Sequence, residues 1–181
     1  MLWKLRKPFR EYAGPDQSPL AGYGAAMLVY AVVLSVALTV ARRTRVQPRW
    51  SDVALLGIAT HKLSRIITKD FVTAPLRAPF TRRQRAEGAG EVHDEPRGGA
   101  LSRSLGYLLT CPYCLGVWTS TGLNTLLLLR PAQTRFVLRL LASDAISDFL
   151  HLSYSRLNEG RKILSAELHQ AEQTRREVSP A

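Results

Sequence analysis

The sequence predicts an all-α, helical integral membrane protein with three to four membrane-associated helices. Three observations carry that reading. Residues 20–41 are 22 residues without a charge, and residues 105–129 are 25 more. The stretches 52–69 and 136–154 each divide into an apolar and a polar half at helical period. Hydrophobic residues make up 46% of the chain, an ordinary average, but they are gathered in blocks with the charge between them. The formal charge is +11, and its arginines flank the apolar runs. That placement points to the lipid bilayer, with anionic lipids as candidate contacts, and away from nucleic acid. No zinc-finger spacing or RNA-binding aromatic motif is present.

The elements follow in order. Residues 1–19 are a basic N-terminal segment, beginning "MLWKLRKPFREY". It resembles the start of a signal peptide, but the apolar run after it is too long and too late for cleavage. Residues 20–41, "LAGYGAAMLVYAVVLSVALTVA", span roughly 33 Å as a helix, about one hydrocarbon core. Arg42, Arg43 and Arg45 end the run, and Gly22 and Ala26 form a small-xxx-small pair.

In 52–69 the residues Leu55, Leu56, Ala59, Leu63, Ile66 and Ile67 share one half of a helical wheel, and His61, Lys62, Arg65 and Lys69 the other. This amphipathic helix is short for a span. It is expected to lie in the interface or to turn its basic face toward other helices. Residues 70–104, rich in Arg, Gly and Pro, show no period and read as a solvated polar loop. Within it, "PLRAPFTRRQR" is a candidate for anionic headgroups.

Residues 105–129 are expected to cross the membrane. Thr110 and Pro112 place the start of the regular helix near Cys111, with Gly106–Leu109 as a lead-in. Residues 136–154 carry Leu138, Leu141, Ala142, Ala145, Ile146, Phe149 and Leu152 on one side, and Arg139, Ser143, Asp144, Ser147, Asp148 and His151 on the other. A polar C-terminal tail, 156–181, holds a helical stretch from Arg161 to Val178. The positive-inside tendency puts loop 69–104 and the tail on the cytoplasmic side of a multi-pass protein of a bacterial cell membrane.

Two constellations could carry chemistry. The first is "TCPYCLGVW", which holds the chain's two cysteines, Cys111 and Cys114. A C-P-Y-C pair opening a helix matches the active site of glutaredoxins, because first-turn amides favour a thiolate. A glutaredoxin needs alternating strands and helices, and the 67 residues after Cys114 read as helices. One such pair supplies two of about four zinc ligands, and His61, His151 or a second protomer could complete the set. The plain reading is packing: small cysteines and Gly116 let helices approach, and Trp118 anchors or packs the bundle. The pattern calls for no cofactor and no metal. The second constellation is acidic. Asp144 and Asp148 are one turn apart, with His151 beyond, and Lys62 and Arg65 offer a complementary face. An ion-paired seam, with Arg65 in reach of Asp144 or Asp148, hides these charges; a proton or ion relay is the sharper alternative.

The segment "LLTCPYCLGVW", preceded by "HKLSRIITKDFVTAPLR" and followed by an apolar helix, resembles a family of small bacterial membrane proteins catalogued as a domain of unknown function. Cys111, Pro112, Tyr113, Cys114, Leu115, Gly116, Val117 and Trp118 match its C-P-[aromatic]-C-L-G-V-W box. Leu63, Arg65, Ile66, Ile67 and Asp70 match an upstream R-L-T-R-L-I-x-x-D helix, from which Lys62 and Ser64 depart. The resemblance covers roughly 52–155 and implies an integral membrane protein with no assigned activity. The function expected is structural or scaffolding, and more in keeping with a non-enzyme. A membrane thiol–disulfide oxidoreductase using Cys111 and Cys114 is the first alternative, and a small transporter using Asp144 and Asp148 the second.

Overall fold

Helix starts and stops in this chain fall where the sequence changes composition. The computed structural model describes residues 20–88 and 90–178. Its elements are α1 (Leu20–Arg43), α2 (Trp50–Lys69), a 3-10 turn (Phe71–Thr73), α3 (Ala74–Arg77), β1 (Thr81–Glu87), β2 (Glu91–Pro96), α4 (Ala100–Thr110), α5 (Pro112–Leu129) and α6 (Pro131–Val178). The protein is mostly helical. The expectations for 1–19 and 179–181 lie outside the described residues. The chain divides into two units, Met1–Ala142 and Ser143–Ala181.

In the first unit α5 packs against both α1 and α2. The apolar face read from 52–69 is the one that packs: Leu56 and Ala59 join Leu123, Leu127, Leu138 and Leu141 in the core, with Leu55, Leu63 and Ile66 against it. Ser64 and Thr119 share a 2.9 Å hydrogen bond near the start of α5. At the other end of the pair, Arg135, just beyond α5, grips Asp52 in the first turn of α2. So α2 and α5 run antiparallel.

Helix α1 lies along α4 and α5 in the same chain direction. Gly22 meets Ala100 and Ser104, Tyr23 meets Tyr107 edge-on at 6.1 Å, and Tyr30 meets Trp118 edge-on at 5.1 Å. The Tyr30 and Thr121 hydroxyls are 2.9 Å apart. A Cβ on Gly22 would fall 2.0 Å from Ser104 Oγ, so glycine is what lets the two helices touch there. The small residue matters, but its neighbour is α4. Along the rest of α1 the large apolar side chains, Met27, Leu28, Val32 and Val36 among them, point outward and are exposed.

Three expectations need correcting. Residues 70–104 are not a structureless loop. They fold into the 3-10 turn, α3, an antiparallel β-hairpin and the start of α4, so the chain is mostly rather than wholly α. The hairpin escaped a period search because β1, "TRRQRAE", exposes both faces over Arg82–Ala86. Its register carries a bulge at Arg83/Arg85, and its turn uses Gly88 and Gly90 at positive φ, which glycine alone adopts freely. Second, 105–129 is not one helix with a lead-in. The chain is helical on both sides of Cys111, whose extended backbone (φ −108°, ψ 104°) separates α4 from α5. Pro112 dictates this, because the residue before a proline is pushed out of helical space. Third, 136–154 and the tail form one helix, α6.

The second unit is the remainder of α6 beyond Ala142. Asp144, Asp148 and His151 occupy exposed positions on it.

Candidate functional site

The C-P-Y-C box sits at the α4–α5 break. Cys111 is the N-cap of α5, and Cys114 N–H donates to its sulfur at 3.1 Å. Pro112 takes the first helical position, where no N–H is needed. The two sulfurs are joined as a disulfide. Cys114 is exposed, Cys111 is half-buried, and Tyr113 between them is 89% exposed. Among the described residues no three His, Cys, Asp or Glu side chains gather as metal ligands do.

Beside the box lies a cavity of about 510 Å³ between α1, α2 and α5. Pro112, Tyr113, Gly116 and Val117 form one wall, and Gly57, Thr60, His61, Ser64 and Arg65 of α2 another. Tyr30 contributes from α1. Thr60 Oγ1 is buried without a hydrogen-bond partner, the one such side-chain atom among the described residues. Gly116 faces Ser64 Oγ, but a Cβ there would sit 3.8 Å away, an ordinary contact. The helices would therefore tolerate alanine at 116. Trp118 meets Tyr30 edge-on at 5.1 Å.

The basic face of α2 meets acid from the hairpin. Arg65 Nη2 pairs with Glu91 Oε1, and Lys69 Nζ lies 3.7 Å from Glu87. Lys62 is half-buried on the same helix. Desolvation alone would raise the Glu87 carboxyl, but Lys69, His93 and Arg85 around it hold it below the ordinary carboxylate range. Reading from the sequence missed Glu91 as the acid for Arg65, because no hairpin was foreseen to carry it there.

It missed Arg77 as well. That residue lies in the segment read as solvated or headgroup-facing, yet its side chain is fully buried. Nε donates to Asp94 Oδ2 at 2.9 Å, Nη1 to the Ile67 carbonyl and Thr73 Oγ1 at 2.7 Å each, and Nη2 to the Asp70 carbonyl at 2.9 Å. Ile67 and Asp70 are at the C-terminal end of α2, where carbonyls lack helical partners. Arg77 thus caps α2 and ties β2 to it through Asp94. Nearby, a Cβ on Gly106 of α4 would fall 2.7 Å from the Phe80 carbonyl and 2.8 Å from Pro96 Cβ, so the hairpin base presses on α4.

Among the described residues one helix, α1, is long and apolar enough to cross a membrane. A family model described as "Protein of unknown function (DUF1360)" matches residues 55–154. Of curated proteins, the Sporulation protein YjcA of Bacillus subtilis is 27% identical over 107 residues, covering 58% of this chain and 91% of that protein. The UPF0713 protein YngL of the same organism is 33% identical over 95 residues, covering 51% of this chain and 72% of that protein. No solved structure matches.

Proposed function

The chain belongs to the DUF1360 family of unknown function, and from that premise we propose that it is a multi-pass bacterial membrane protein with a structural or scaffolding role. The observation that carries this is the outward apolar surface of α1. A window of 18 residues has none buried, so lipid or protein must cover it. Because α5 packs along α1 and α2 packs on α5, a membrane that receives α1 receives α5, and α2 goes with it. Helix α5 holds no Asp, Glu, Lys or Arg. Its hydroxyls suit an apolar surrounding: Thr119, Thr121 and Thr125 all donate to carbonyls one turn back. Trp50 and Tyr113, both 89% exposed, stand at the starts of two antiparallel helices, hence at opposite faces, as interfacial aromatics do.

In this arrangement the hairpin and the connection 44–49 lie on opposite sides. Lys4, Arg6, Lys7 and Arg10 before α1, with the seven basic residues of 69–104, outnumber Arg42, Arg43, Arg45, Arg49, Arg130 and Arg135 at the other end. The hairpin side is therefore cytoplasmic by the positive-inside tendency. A cytoplasmic tail then requires 136–154 to return as a fourth membrane-associated helix. The test is labelling of single cysteines introduced at Thr44 and Gly90 in a Cys111→Ser, Cys114→Ser background. In intact cells an impermeant maleimide should mark 44 and spare 90, and the protein should stay in membranes after carbonate extraction. Release by carbonate, or equal labelling at both sites, refutes the proposal.

A further inference from the structure

We propose that Cys111 and Cys114 are a thiol–disulfide exchange centre whose substrate is a dithiol, a chemistry that a scaffold does not need and that goes beyond the role above. Three observations carry it. The first is locality. The bridge closes a loop of two intervening residues, and a disulfide gains least in stability from so short a loop. The second is exposure. Cys114 lies on the protein surface next to Tyr113, at the interfacial end of α5, whereas a bond kept only for structure is best sheltered from thiols. The third is asymmetry. Cys111 sulfur already accepts the Cys114 N–H at 3.1 Å, at the start of an 18-residue helix. After reduction the same N–H and the helix dipole favour negative charge on that sulfur, while Cys114 has no equivalent donor among the described hydrogen bonds at the box.

The asymmetry fixes the order of events. A substrate thiolate attacks Cys114 Sγ, the S–S bond breaks, and its electron pair leaves on Cys111, the better leaving group. The second substrate thiol loses its proton and attacks the substrate sulfur of the mixed disulfide. Cys114 leaves and takes up a proton. The substrate ends as a disulfide and the pair as a dithiol, with two electrons transferred. Stabilising the reduced form in this way makes the pair an oxidant. The neighbouring cavity, with Tyr113 and Val117 at its wall beside Ser64 and Arg65, includes neither cysteine in its lining; a substrate segment seated there has apolar and hydrogen-bonding surface one residue from the disulfide.

The full chain in detergent tests this without a natural substrate. Wild type is equilibrated with graded mixtures of reduced and oxidised dithiothreitol, quenched in acid, alkylated and weighed. The expected result is a reversible two-thiol transition that returns when oxidised dithiothreitol is restored. A pair that stays oxidised in excess reduced dithiothreitol while the protein remains folded, or that does not re-form, overturns the proposal. The second arm compares Cys114→Ser, which leaves Cys111, with Cys111→Ser, which leaves Cys114. At pH 6 Cys111 should alkylate with iodoacetamide about tenfold faster than Cys114, the gain in thiolate outweighing its lower nucleophilicity. Equal rates, or a faster Cys114, refute the stated order of attack.

Discussion

Replacing Arg77 with methionine is the sharpest test of how this fold is held. The side chain is fully buried and fills four of its five donors. Methionine keeps most of the volume and removes the charge, so the loss is not a cavity effect. The Asp94 carboxylate, 6% exposed, is left without its cation, and the Ile67 and Asp70 carbonyls lose a cap. Breaking a buried pair by removing one partner costs about 3–5 kcal/mol, mostly for the stranded charge. For a chain of this length each kcal/mol moves the melting temperature by about 2–4 °C. The expected loss is therefore about 6–20 °C, read as helical circular dichroism of the detergent-solubilised protein on heating. Adding Asp94→Asn should recover part of it, because the stranded charge is gone. A single variant that melts within about 2 °C of the parent would show that the hairpin is not coupled to α2 through Arg77, and the capping argument would fall.

Further expectations follow the same contacts. Arg135→Ala strips Asp52 of two hydrogen bonds of 2.9 and 2.8 Å; it should lower the melting temperature, and by less than Arg77→Met, since the Arg49 N–H still serves the carboxylate. Gly22→Val should separate α1 from α4 and weaken a Tyr23–Tyr107 contact that fluorescence or cross-linking can follow, whereas Gly116→Ala should be silent in both. Glu91→Gln should change stability by only about 0–1 kcal/mol, because Arg65 is 38% exposed. Glu87, held below its ordinary range, adds stability that is present above the unfolded carboxylate range and lost as pH falls through the folded one. An acid titration of melting temperature should show that loss in the parent and less of it in Glu87→Gln.

What was legible in the sequence was whatever repeats. The uncharged run of α1 and the half-and-half pattern of α2 recur along a helix, and Leu56, Ala59 and Leu63 fell on the buried side for that reason. The break at Cys111 was half legible. Pro112 announced a helix start, but nothing local says that the residues before it are helical too. Their helix depends on packing: Ser104 and Gly106, the buried residues of α4, rest on α1 and the hairpin base. What was hidden was whatever is single. Arg77, Asp94 and Glu91 each occur once, in a segment dense with charge, and their pairings cross 17 and 26 residues. An arginine inside "PLRAPFTRRQR" has the composition of a solvated loop whether it faces water or caps a helix.

The same distinction explains why the box and the hairpin should be read together. The hairpin side of the bundle contains the end of α2, Arg65 with Glu91, Arg77 with Asp94, and the contact of Gly106 with Phe80 and Pro96. Helix α4 runs from that base directly into Cys111. The backbone that presents the sulfurs is thus braced from both directions, by the hairpin through α4 and by α2 through the Ser64–Thr119 bond in the second turn of α5. A turn that only joined two helices would need no such bracing. The exchange centre proposed above would need it, because the Cys114 N–H can serve Cys111 only while the end of α4 and the start of α5 keep their places.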